Sequence, residues 1–269
     1  MIDIVYIILI SSIIQGLFEW IPISSSGIVT IFCTFLGIKF LKSFNWSLAL
    51  HLGSGFAAFT LFWRDFLNIL KIRDRKACDS LNINFSMYII LIFISLLVGG
   101  LLYILLVKFY SYEIPGRVAL GIVGIFLIIT GLLDYYYEKV KAKVVLSSDL
   151  SRFDWFILGF LQGIAVIPGL SRSGLLLAYL SFRKVKPDVA FKISLIVGAP
   201  TLILAGLAGL YMCRSVIPTL DIAIAILLSY ITSLLFGYLF YRAFMRLKVW
   251  SFAIIIGILL VVSMLISLL

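Results

Sequence analysis

Residues 15–27 read QGLFEWIPISSSG and residues 162–174 read QGIAVIPGLSRSG, so one thirteen-residue pattern occurs twice. Each copy runs from a Gln-Gly pair through a proline to Ser-x-Ser-Gly. The register sets Ser24 against Ser171, Ser25 against Arg172, Ser26 against Ser173 and Gly27 against Gly174, with Pro22 and Pro168 one position out of step. Both copies interrupt long apolar runs with Gly, Pro and hydroxyls, residues that stop one helix and start the next.

The runs themselves define the solvent. Hydrophobic residues make up 63% of the 269 residues and charged residues 13%, about half the charge of a soluble domain, and the mean hydropathy is +1.20. We expect an all-α integral membrane protein, a single polytopic domain over residues 1–269. The start, MIDIVYIIL, lacks the basic segment of a signal peptide, so no cleavage is expected. The net charge of +10 sits in short loops between apolar runs, a membrane-topology pattern that excludes nucleic acid as its explanation. Cys33, Cys78 and Cys213 are odd in number and far apart, and indicate neither a disulfide framework nor a zinc site.

Six runs are long enough to cross a bilayer, which takes about 20 apolar residues: 45–62, 86–107, 118–137, 189–211, 222–241 and 250–268. The segments flanking the motifs (2–14 and 28–40, 155–161 and 175–182) are too short to cross alone. Joined through their breaks, each pair reads as a re-entrant helical hairpin, tolerated where the broken backbone lines a cavity. Six spans and two hairpins place the loops 63–85, 138–154, 183–188 and 242–248 on one face with fifteen basic residues, against five on the other: Lys39, Lys42, Lys108, Arg117 and Arg214. The bias puts the first face in the cytoplasm and both termini outside. Each half (repeat 1 about 1–137, repeat 2 about 155–269) holds one hairpin and three spans, an odd number of crossings that inverts the second half and places a site at the repeat interface. LHLGSGFAAFTL at 50–61 resembles LIVGAPTLILAG at 195–206, which extends the repeat past the hairpins.

Charged groups inside the apolar regions are few: Glu19 in the first break, Arg172 in the second, and Lys192 early in a span. Such groups are functional candidates by default. Glu19 falls at the negative end of a half-helix and requires a cation, either Arg172 or a bound metal; a purely structural Glu19–Arg172 bridge is the plainer alternative. Ser24, Ser25, Ser26, Ser171 and Ser173 stand where returning helices begin and can cap them. Capping explains neither three consecutive serines nor the embedded arginine. Helix N-termini with hydroxyls and a guanidinium form a receptor for phosphate oxygens, a composition suited to phosphate-ester chemistry on a lipid. His51, the single histidine, lies within reach as a packing or catalytic residue. Tyr135, Tyr136, Tyr137, Trp46, Trp63 and Trp250 read as interfacial anchors.

These motifs resemble the undecaprenyl-pyrophosphate phosphatase, or bacitracin-resistance, family, whose signatures are similar to (E/Q)GxxEFxPxSSxGH and PGxSRSGxT; the similarity includes the FWRD at 62–65. The resemblance implies removal of the terminal phosphate from a C55-type polyprenyl pyrophosphate at a site open to the outer face of the cytoplasmic membrane. By position, Ser25 resembles the nucleophile or a phosphate-contacting hydroxyl, Glu19 a motif glutamate that holds a divalent cation (Mg²⁺ or Ca²⁺) or accepts a proton, and Arg172 the phosphate clamp. Gln15, Ser24, Ser26, Ser171, Ser173, Gly174 and His51 then contact substrate. Gln15 stands where many members have a first glutamate, Ile28 where the first motif ends in His, and Leu176 where the second has a hydroxyl; His51 is the candidate replacement for the histidine. The partners implied are the polyprenyl pyrophosphate and membrane lipids, with a homodimer as candidate assembly. A polyprenyl-phosphate transporter without hydrolysis is the competing reading, because inverted repeats with broken helices also build transporters.

Overall fold

Both motif copies interrupt helix in the computed structural model, which describes residues 4–70, 85–110, 114–141, 150–214, 219–243 and 250–268. Every element among them is a helix: α1 Ile4–Phe18, α2 Ser25–Phe35, α3 Phe40–Leu61, α4 Trp63–Leu70, α5 Phe85–Tyr110, α6 Gly116–Lys141, α7 Arg152–Ile164, α8 Arg172–Phe182, α9 Pro187–Cys213, α10 Thr219–Ala243 and α11 Trp250–Leu268. The breaks are shorter than the motifs. Ser24 caps α2 by accepting the Gly27 N–H, and Ser171 caps α8 by accepting the Gly174 N–H. The repeated Ser-x-x-Gly is therefore one N-cap used twice, and it makes Ser25 and Arg172 the first residues of the returning helices.

Five described helices are long and apolar enough to cross a membrane: α5, α6, α9, α10 and α11. The expected sixth, α3, has the length, at 22 residues, but not the apolarity. Its Ser43, Ser47, His51 and Ser54 are polar and buried, turned into the protein rather than toward lipid. The 63–85 segment, expected to be loop, opens with the eight-residue helix α4, tied to α9 by Lys192 Nζ on Asp65 Oδ1 at 2.7 Å. That pair gives Lys192 a structural partner. Trp46 and Tyr137 are not interfacial anchors, because they are 5% and 2% exposed; Trp46 Nε1 donates to Ser11 Oγ at 2.9 Å. Lys71, Arg73, Arg75, Lys76, Cys78, Lys143, Arg246 and Lys248 lie outside the described residues, while Cys33 and Cys213 are free and buried.

Element order repeats across the chain: two short helices around a break, then three long ones, with α4 added in the first half. The halves interlock. α3 runs along α9 and α6 along α11, while α1 packs on α10 and α7 on α5. Small residues permit the close approach that substitutes for a hydrophobic driving force between helices in lipid. A Cβ on Gly209 of α9 would come within 2.4 Å of the Ala49 nitrogen of α3. The same holds between α6 and α11, where a Cβ on Gly124 would lie 2.7 Å from the Gly257 carbonyl oxygen.

Candidate active site

The two breaks cross at a glycine contact. Gly169, in the left-handed region at φ 101°, turns its N–H onto Ser24 Oγ at 3.1 Å, and a Cβ on Gly27 would lie 2.9 Å from that same nitrogen. Thr130 of α6 clamps the second break from behind: its hydroxyl donates to Gly169 O at 2.8 Å and accepts the Ser171 N–H at 3.0 Å. The N-termini of α2 and α8 are thereby held around one small pocket. Glu19, Ser24, Ser25, Ser26, His51, Ser171, Arg172 and Ser173 all line it.

Glu19 is the centre of the polar network. It follows the last residue of α1 and is 8% exposed. Its Oε2 accepts the Ser25 hydroxyl at 2.9 Å and the Gln15 amide at 2.8 Å, and its Oε1 accepts Arg172 Nη2 at 3.1 Å. His51 approaches from α3. Its Nδ1 lies 2.7 Å from the Ser47 carbonyl; a carbonyl can only accept, so Nδ1 carries the hydrogen. This fixes Nε2 toward Glu19 Oε2, 3.6 Å away.

Arg172 is clamped yet incompletely satisfied. Its Nη1 rests against Gly198 of α9, where any Cβ would collide with it, and its Nε and Nη1 are buried with no hydrogen-bond partner. Buried unpaired donors of a guanidinium cost free energy until an acceptor arrives. The N–H groups of Ser25 and Ser26 on α2, and of Arg172 and Ser173 on α8, are first-turn donors with no intrahelical acceptor. Two positive helix ends, a guanidinium and five serine hydroxyls around one carboxylate have the composition of a receptor for a polyanionic group.

Two expected site residues stand outside the pocket lining. Gln15 lies one layer behind it, orienting Glu19 and reaching Ser25 Oγ and Ser54 Oγ at 3.4 Å. The Gly174 N–H is engaged by the Ser171 cap at 3.1 Å, so it is not free to meet an anion. Ile28 packs against the cluster containing Ile21, Ile23 and Ile31 rather than the pocket. Ser47, Ser54, Thr130 and Gly198 escaped sequence reasoning. Only Gly198 carried a signal, its match to Gly53 in the downstream repeat segment.

The model of the family described as bacitracin resistance protein BacA matches residues 8–262. A protein of Methanosphaera stadtmanae named undecaprenyl-diphosphatase is 32% identical over 264 residues, covering 93% of this chain and 92% of its own. Proteins of the same name from Methanococcoides burtonii (33% identical; 75% of this chain, 78% of its own) and Halothermothrix orenii (30%; 77% and 74%) are also similar. With the match running through both breaks and the helices that hold them, this chain belongs to the bacitracin resistance protein BacA family.

Proposed function

We propose that the protein is a membrane-embedded phosphatase that hydrolyses a C55-type polyprenyl pyrophosphate to polyprenyl phosphate and inorganic phosphate, recycling the lipid carrier of envelope glycan synthesis. The observation that carries this reading is the shared carboxylate: Ser25 O–H on one oxygen of Glu19 and Arg172 on the other. A transporter needs to hold a phosphate; it does not need a hydroxyl hydrogen-bonded to a base beside it.

The terminal phosphate docks on Arg172 and on the first-turn N–H groups of α2 and α8. Ser25 Oγ attacks phosphorus as its proton passes to Glu19 Oε2. The bond to the bridging oxygen breaks, polyprenyl phosphate leaves, and the phosphoryl group stays on Ser25. Glu19 then returns as base to a water that displaces the serine and releases inorganic phosphate. His51 Nε2, beside Glu19 Oε2, takes up the proton collected from Ser25 and so frees Glu19 to deprotonate the water; the displaced Ser25 oxygen recovers its proton from Glu19, and His51 gives up the other to the released phosphate. A hard divalent cation would rest on Glu19 alone among the protein's carboxylates, since the described residues hold no group of three His, Cys, Asp or Glu that could bind a metal, and Mg²⁺ binds through one or two carboxylates plus substrate phosphates. Held by Glu19 and the diphosphate, such an ion would neutralise charge on the departing phosphate.

We further read the chain as six spans and two re-entrant hairpins in inverted repeats, with termini and site toward the outer face. Support comes from the repeated element order, the cross-pairing of α1 with α10 and α7 with α5, and the fifteen-to-five basic bias. The functional test is phosphate release by detergent-purified protein from farnesyl and C55 pyrophosphates, with Mg²⁺, Ca²⁺ or EDTA. We expect cation-dependent release that Ser25→Ala and Arg172→Ala abolish. Release surviving Ser25→Ala overturns the nucleophile, and folded protein that binds polyprenyl phosphate but releases none overturns the enzyme.

A further inference from the structure

Behind the second break lies a carboxylate that the proposed reaction does not use. Asp134 of α6 is 2% exposed, and neither of its oxygens has a hydrogen-bond partner. It follows Thr130 by one turn, on the same face of α6. That face backs the second break: Thr130 holds Gly169 O and the Ser171 N–H, and a Cβ on Gly174 would stand 3.1 Å from Asp134 Oδ1. The carboxyl thus abuts the first turn of α8 from behind, while Arg172 and Ser173 line the pocket in front.

The surrounding elements bring no compensating charge. Of the helices packed on α6, α11 has no titratable side chain, α2 has only Cys33, and α8 has Arg172 and Tyr179. Arg172 donates to Glu19 and Tyr179 to Asp154. Along α6 itself, Tyr137 and Glu138 stand next to Asp134, and Glu138 adds a second carboxylate on that side. Lys139 lies over the Tyr135 ring, 4.4 Å from its centroid. A bare carboxylate buried in spanning sequence is strongly unfavourable, and such a group is a functional candidate by default.

We propose that Asp134 is a site for a small monovalent cation, a proton or Na⁺, and that its occupancy sets the affinity of the pocket for the phosphate group. The inference rests on the phosphatase reading for the nature of that anion and adds its coupling to a cation. An ionised carboxylate behind α8 interacts with the same positive helix end that meets the phosphate in front, so the two anions oppose each other. A cation on Asp134 removes the opposition. Binding couplings are reciprocal, so the bound phosphate in turn tightens the hold on the cation. Affinity is therefore full when the site is loaded, at low pH or high Na⁺, and falls as the cation leaves.

The test measures equilibrium binding of a methylene-bridged analogue of farnesyl pyrophosphate, which cannot be hydrolysed between its phosphorus atoms. Detergent-purified wild type, Asp134→Asn and Asp134→Leu are compared from about pH 5 to about pH 9, in choline chloride or NaCl at equal ionic strength. In choline chloride, the ratio of wild-type to Asp134→Asn affinity should lie near one at low pH and fall about tenfold at high pH. Asp134→Leu, which also removes the charge, should give the same ratio. Recovery of the ratio in NaCl at high pH identifies Na⁺ as the occupant, and a ratio that follows pH alone identifies the proton. A ratio constant across pH and salt, or variants that bind more weakly than wild type by one factor throughout, overturns the proposal. Wild type that binds the analogue but releases no phosphate from farnesyl pyrophosphate refutes the phosphatase reading instead, and the affinity ratio still decides the cation site.

Discussion

Ser25 donates its hydroxyl to Glu19 across 2.9 Å, although ten-residue-distant Gln15 and the opposite half's Arg172 compete for the same carboxylate. The proposed nucleophile and base are thus in contact before substrate binds. Ser25→Ala should lower kcat by at least about 10³-fold, and Glu19→Gln, which keeps the shape and removes the base, by about 10² to 10⁴-fold. Phosphate release checks both. A phosphorylated Ser25 in quenched reactions, seen by mass spectrometry, checks the covalent step.

Arg172 meets Glu19 through Nη2, while its Nε and Nη1 are buried without a hydrogen-bond partner. A lysine is a point charge without that fork. Arg172→Lys should keep the protein folded and lose about 10²-fold in kcat/KM. Arg172→Ala should in addition lower the melting temperature, because Glu19 is left buried without its cation.

Gly198 touches no substrate in this arrangement, yet its bare Cα is the surface on which the Arg172 guanidinium lies. Gly198→Ala should push the flexible end of Arg172 aside rather than disrupt helix packing. The expected result is a loss of about tenfold or more in kcat/KM with little change in melting temperature; unchanged activity would show that Arg172 does not work from this position.

His51 is oriented by the Ser47 carbonyl and sits 3.6 Å from Glu19. His51→Gln should reduce kcat by about 10- to 10²-fold, less than loss of Ser25 or Glu19, and should alter the pH profile of kcat. A flat activity ratio across pH would confine His51 to packing.

Away from the pocket, Asp154 joins α7 to α8. Its carboxylate accepts Tyr179 O–H at 2.6 Å and Ser151 N–H and O–H at 2.7 Å, and pairs with Arg183 at 2.8 Å. Burial alone would push this carboxyl up, but those hydrogen bonds and the Arg183 charge hold it below its ordinary value. A depressed folded pKa stabilises the protein above the unfolded value, about 3.9, and that contribution is lost as pH falls through the folded one. Asp154→Asn should cost about 1–3 kcal/mol at neutral pH, and its melting-temperature deficit should shrink below about pH 4.

Much of the site was legible because two local patterns coincide in it. The Ser-x-x-Gly caps announced where α2 and α8 begin, and Glu19 and Arg172 stood out as charges in apolar sequence. Eight of the expected residues accordingly share one pocket. What stayed hidden were contacts with no local signature. Thr130 looks like any hydroxyl in a helix until the second break folds onto it, and the capped Gly174 N–H became distinguishable from its neighbours only once the donors could be counted. The polar load of α3 misled in the other direction. Its serines and histidine are buried in the protein, so a helix of spanning length lacks the apolar composition that marks a span.

The sequence by itself determined the solvent, the all-helical class, the duplicated helix breaks and the family, because composition, helix capping and motif spacing act over a few residues and need no partner. Only the tertiary structure decided that Gln15, Glu19, Ser25, His51 and Arg172 form one network, that Gly198 seats the guanidinium, and that Asp134 backs the first turn of α8. These are relations between residues up to 153 positions apart, and packing of one half against the other creates them.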